Sequence, residues 1–68
     1  MRIDICINGT LKYTIIDNGE YREVTHYNPK YAFPETIRTL DKTENIIQFI
    51  KNKYRKATVV LMYKKEVE

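Results

Sequence analysis

His26 is the one side chain in this sequence whose ordinary pKa lies near neutrality, and so the one natural candidate for a general base. It sits in YREVTHYNPKYAF, residues 21–33, with Arg22, Tyr27 and Lys30 close by in sequence. Small ribonucleases use His, Tyr, Arg and Lys sets of this kind, which makes RNA cleavage through His26 the enzymatic alternative. No partner for His26 stands out, and a catalytic base must lie within hydrogen-bond reach of the proton it takes. The plainer expectation is a strand-edge histidine that does no chemistry.

Other catalytic classes find less support. Serine is absent, which removes serine nucleophiles. Cys6 and His26 are single copies and cannot assemble a structural zinc site or an internal disulfide, so Cys6 reads as a small strand residue. The carboxylates Asp4, Asp17, Glu20, Glu23, Glu35, Asp41, Glu44, Glu66 and Glu68 show no acid–base or metal spacing. Gly9 and Gly19 both belong to turns, which leaves no phosphate-cradling loop. The expectation is a protein that is no enzyme, with no metal, no cofactor and no small-molecule substrate.

The elements that position these residues follow from period and punctuation. Ile3, Ile5 and Ile7 alternate with Asp4, Cys6 and Asn8, the pattern of a strand with one buried face. Asn8-Gly9 marks a turn into a second alternating strand, LKYTII. A three-residue loop Ile7-Asn8-Gly9, with Gly9 in the left-handed conformation, keeps the faces sorted; it predicts Ile5 opposite Leu11, Ile3 opposite Tyr13 and Asp4 opposite Lys12. Asp17-Asn18-Gly19-Glu20 reads as a second hairpin with a two-residue loop, setting Val24 opposite Tyr13 and His26 on the core side near Leu11. The third strand runs to about Tyr27 and is stopped by Asn28-Pro29.

Beyond that strand, Pro34 predicts the opening of a short helical turn. DKTE reads as a capping box between Asp41 and Glu44, starting a helix over 42–55. Its buried arc is Ile46, Ile47, Ile50 and Tyr54, widened by Phe49. ATVVLMYK is a last strand, apolar on both faces. The predicted fold is one small α+β domain over 1–68, a mainly antiparallel sheet in the order β-β-β-α-β with one helix packed on one face. A right-handed crossover would make the last strand parallel to its neighbour, and pairing with the first strand gives the order 3-2-1-4.

Bulk composition sets the remaining limits. Hydrophobic content of 43% with 31% charged residues describes an ordinary folded domain. The longest apolar run, Val59 to Tyr63, is too short to span a bilayer, and Met1-Arg2 leads straight into a strand; the expected location is the cytoplasm. A net charge of +3 admits nucleic acid or an acidic protein as partner. Richness in Ile, Lys, Asn and Tyr fits an AT-rich genome and, in so small a chain, a phage-like or other mobile-element origin.

Tyrosine suits recognition, being large, partly polar and cheap to order. Tyr21 and Tyr27 find no place in the core. The sequence therefore predicts a binding module whose outer sheet face, Ile16, Tyr21, Tyr27, Val60 and Met62, meets a protein partner or a second copy in a homodimer. Its most concrete version is an inhibitor or modulator of a host nucleic-acid-handling complex. The alternative is direct nucleic-acid binding through Arg22, Lys30, Lys51, Lys53, Arg55 and Lys56 together with the tyrosines, which would stack on bases. The four cations near the helix C-terminus also have a plain role, complementing the helix dipole.

Overall fold

Three isoleucines at alternate positions make β1 (Arg2–Ile7) the centre of the structure, because Ile3 and Ile5 are completely buried and Ile7 nearly so. The computed structural model describes residues 1–65. Around β1 stand β2 (Thr10–Asp17), β3 (Arg22–His26), β4 (Glu35–Thr39) and, after helix α1 (Thr43–Lys53), β5 (Val59–Lys64). The sheet order is β4-β3-β2-β1-β5 and every pair is antiparallel. The fold is α+β, as the sequence indicates, with a fifth strand.

That extra strand is β4, in the place where Pro34 led to a helical turn being expected. Pro34 instead precedes the strand, where its missing donor costs nothing. Thr36, Ile37 and Thr39 are β-branched and suit a pleated surface. Cross-strand pairs hold β4 in place: the Thr25 and Thr36 hydroxyls meet at 2.9 Å, and Arg38 Nη2 donates to Glu23 Oε1 at 3.5 Å. With four strands before the helix, β4 runs opposite to β1. The helix then carries the chain back, so β5 returns antiparallel to β1, correcting the parallel crossover. Its neighbour is the expected one.

Both hairpins differ from their predicted registers, by the same principle. Asn8 (φ 51°) and Gly9 (φ 83°) are both left-handed, forming a two-residue turn with Ile7 opposite Thr10. The extra residue lies within β2 instead: the register shifts between Ile5 and Cys6, leaving Lys12 as a bulge. Ile5 therefore faces Tyr13, Ile3 faces Ile15 and Asp4 faces Thr14; the predicted Asp4–Lys12 pair does not form. In the second hairpin Asp17 faces Arg22 across a four-residue loop. Side chains stabilise that longer loop, Asn18 Oδ1 accepting from the Glu20 and Tyr21 amides and Asp17 Oδ1 from the Gly19 amide. Val24 consequently faces Ile15, and Tyr13 faces His26.

The helix is shorter than predicted, and the capping box is absent. Lys42 is the N-cap without a side-chain hydrogen bond, and the Asp41 amide donates to Thr39 Oγ1 at 3.1 Å. What ties down the helix start is Thr43, whose hydroxyl donates to Asp17 Oδ2 at 2.7 Å. Ile50 is buried against the sheet, with Ile46, Ile47 and Tyr54 half-covered beside it. Each fully buried isoleucine contributes about 1.5–3 kcal/mol of transfer free energy, so this small set carries most of the stability. Among the described residues no helix is long and apolar enough to cross a membrane.

Candidate functional site

One helix cannot cover five strands. Its buried residues pack with β1, β2, Val24 of β3 and the inner positions of β5, which leaves the helix-side face of β4 open. The result is a groove of about 560 Å³ between α1 and β4. Tyr13, Val24 and Ile37 form its floor; Ile46, Phe49 and Ile50 form the helical wall. Phe49 is 69% exposed and Ile37 55%, although both are large and apolar. Exposed Phe33 and Leu40 flank β4 along the chain.

The groove's polar groups are few. His26 stacks on Tyr13, with ring centroids 4.6 Å apart and planes 9° from parallel. Behind it the Tyr13 hydroxyl lies 3.4 Å from that of Tyr54, and burial, first, then this neighbour, raises the Tyr13 pKa far above its ordinary value. Glu35, Asp41 and Asn45 complete the rim. The formal charges of the lining are thus Glu35 and Asp41, in a chain of net charge +3, and neither takes part in an ion pair among the described residues. His26 faces the groove rather than Leu11, as the register requires.

The opposite face of the sheet holds the five residues expected to bind a partner, but not as one patch. Val60 and Met62 lie on the edge strand β5, 46% and 39% exposed. Ile16, Tyr21 and Tyr27 lie beyond β1, half-buried. Between the two groups runs a polar row built on Asp4, which is only 3% exposed. Its carboxylate receives Lys64 Nζ at 2.8 Å, the Thr14 hydroxyl at 2.9 Å and Arg2 Nε at 3.2 Å. The Lys64 hydrogen bond, with Thr14 and Arg2 adding to it, holds the Asp4 pKa below its ordinary value against the opposing effect of burial. Thr14 in turn lies 3.2 Å from the Tyr27 hydroxyl, and Tyr21 receives Arg38 over its ring at 4.4 Å.

The basic residues have a third location. β1, β3 and α1 all run toward the end of the sheet that carries the Asn8-Gly9 turn and the 27–34 loop. Lys30 in that loop, Lys51, Lys53, Arg55 and Lys56 around the helix C-terminus, and Lys12 all lie toward this end. Arg22 stands apart. Its Nε is 3.3 Å from Asp17 Oδ2 without hydrogen-bond alignment, and its Nη1 donates to the Leu40 carbonyl. Thr43, then the Gly19 amide and Arg22, lower the Asp17 pKa.

The proposed RNA-cleaving set is distributed over both sheet faces. His26 lies on the helix side, whereas the Tyr27 hydroxyl bonds Thr14 on the other. Among the described residues no three His, Cys, Asp or Glu side chains cluster as metal ligands would; Glu66 and Glu68 lie outside the described residues. The chain matches no protein-family model, no curated protein and no solved structure in the comparisons made.

The groove exists because β4 lies beside β3, where the sequence predicts a helical turn. The signal for this strand was present in TIRT, a short β-branched alternation after Pro34.

Proposed function

We propose that this protein is a non-enzymatic, cytoplasmic binding module that holds a segment of another protein in the groove between α1 and β4. The observation that carries this function is the exposure of Phe49 and Ile37 across one concave surface, since apolar side chains gathered in a groove, unlike those exposed singly, mark a binding surface. Glu35 and Asp41 specify the partner's chemistry: apolar side chains accompanied by a lysine or arginine. A modulator of a host nucleic-acid-handling complex fits that chemistry, because such complexes display basic segments beside apolar ones. The test is selection of displayed random peptides on the immobilised protein. Enriched peptides should combine aliphatic or aromatic residues with lysine or arginine, and lose at least tenfold in affinity on Phe49→Asp. Peptides that bind the Phe49→Asp protein equally well would refute the assignment.

A second function has its own observation, the gathering of Lys12, Lys30 and the Lys51–Lys56 group at one end with Tyr27 and Tyr31 nearby. Single-stranded nucleic acid would bind there with affinity falling steeply in salt. A fluorescent oligonucleotide titrated at two salt concentrations tests it. Binding weakened by Lys53→Glu with Lys56→Glu supports it, and no salt-sensitive binding removes it.

A further inference from the structure

The sheet has two open edges, and they are not alike. Asn8 N–H donates to the Thr58 carbonyl, which makes the even-numbered residues of β5 the ones that bond β1. The main-chain groups of Val59, Leu61 and Tyr63 therefore point away from the sheet, unpaired among the described residues. Every residue from Ala57 to Tyr63 is uncharged, and β5 is apolar on both faces. Natural edge strands are normally guarded by charge, proline or shortness. β4 follows that rule: it has five residues, is preceded by Pro34, and carries Glu35 and Arg38. β5 does not.

We infer that β5 pairs with β5 of a second copy, antiparallel about a two-fold axis at Leu61, to make one continuous ten-stranded sheet. The strand is complementary to itself in this register. Val59 would face Tyr63 of the second copy, and Leu61 its own counterpart, through roughly six main-chain hydrogen bonds from groups that already point outward. Val60 would face Met62 on the outer surface, partly covering the two apolar side chains that the strand exposes there. Charge does not oppose the contact. Lys64 would lie opposite Thr58, about 20 Å from Lys64 of the other copy at ~3.3 Å per residue. Screening reduces repulsion at that range, since the Debye length is about 8 Å. The same operation on β4, about Ile37, would bring the two Arg38 side chains diagonally adjacent, at roughly 7–8 Å. Self-complementarity thus singles out β5 and a second copy of this chain.

The test joins light scattering after size exclusion with amide hydrogen exchange. The wild-type chain is expected at twice its 8.2 kDa mass at micromolar concentration. Leu61 and Tyr63 amides should be protected in a concentration-dependent way, while Thr36 and Arg38 amides on the other edge exchange freely. Leu61→Pro removes an outward donor without touching the β1 ladder, and should give a folded monomer. If that variant unfolds, the exchange pattern of the wild type still decides. A one-chain mass up to several hundred micromolar overturns the inference. So does a dimer in which Leu61 and Tyr63 exchange as fast as Thr36 and Arg38, since its interface would lie elsewhere.

Discussion

Replacing Asp4 by alanine probes the one buried charge of the sheet. The substitution removes three charge-assisted hydrogen bonds, from Lys64, Thr14 and Arg2, each of a type worth about 1.5–3 kcal/mol in proteins. Their sum overstates the loss. Lys64 and Arg2 are about half exposed and return to water when released, so no unpaired cation stays buried. Thr14 keeps a hydroxyl partner in Tyr27. The net cost is therefore close to that of one such bond, about 2–3 kcal/mol, below the 3–5 kcal/mol of breaking a fully buried pair. A core of this size supplies only ~3–5 kcal/mol in total, so Asp4→Ala should leave a margin of about 0–3 kcal/mol and a measurable unfolded fraction at room temperature. Urea denaturation followed by circular dichroism measures it, as a lower midpoint at unchanged slope.

The same carboxylate sets an acid limit. Its folded pKa lies below its unfolded value, so its stabilisation is complete above the ordinary carboxylate range, ~pH 4, and is lost as pH falls through the depressed folded value. Asp17 acts in the same direction. Wild-type stability should fall as pH drops below about 4, and Asp4→Asn should flatten that fall. A loss under about 0.5 kcal/mol in Asp4→Ala, the range of an ordinary surface substitution, would refute the view that this network holds the sheet together.

Two further outcomes follow from packing and backbone geometry. A Cβ at Gly9 meets no neighbouring atom, so the expected cost of Gly9→Val, about 1–2 kcal/mol, arises chiefly from the left-handed φ of 83°; Gly9→Asn should recover most of it in the same urea experiment. Ile50→Ala should cost about 2–4 kcal/mol because Ile50 is buried in the core, whereas Phe49→Ala, one residue away, should change stability by less than about 0.5 kcal/mol while weakening peptide binding by about 2 kcal/mol.

Much of the fold was legible because alternation fixes which face a residue occupies. Ile3, Ile5, Tyr13, Ile15 and Val24 all point where their period places them, although both hairpin registers differ from expectation. The reason is physical: at Ile5–Tyr13 and throughout the second hairpin the difference is two residues, and a two-residue slip preserves every face. Choosing between registers that share a parity depends on where an extra residue is stored. Lys12 bulging in the strand, and Asn18 bonding the amides of its own loop, store the extra residues in ways that periodicity does not encode. The capping box is absent, and the helix start is held instead by Thr43 on Asp17, far away in sequence.

The site was less legible than the fold. Tyr21 and Tyr27 do lie on the outer face, but Arg38 and Thr14 occupy them there, and Asp4 separates them from Val60 and Met62. Strand order decides which surface residues become neighbours, and the expected order, 3-2-1-4, already places β1 between the tyrosines and the last strand. Phe49 looked like the widened edge of a buried arc; with five strands under one helix, it became the wall of a groove instead.

The central claim, that the groove between α1 and β4 holds a protein segment, is tested most directly by amide chemical-shift mapping of the labelled protein titrated with a selected peptide. The expected perturbations centre on Val24, Ile37, Asn45, Ile46 and Phe49, from both walls of the groove, and vanish in Phe49→Asp. Shifts confined to Lys30, Lys53 and Lys56, or to the outer face around Tyr21 and Met62, would contradict the claim.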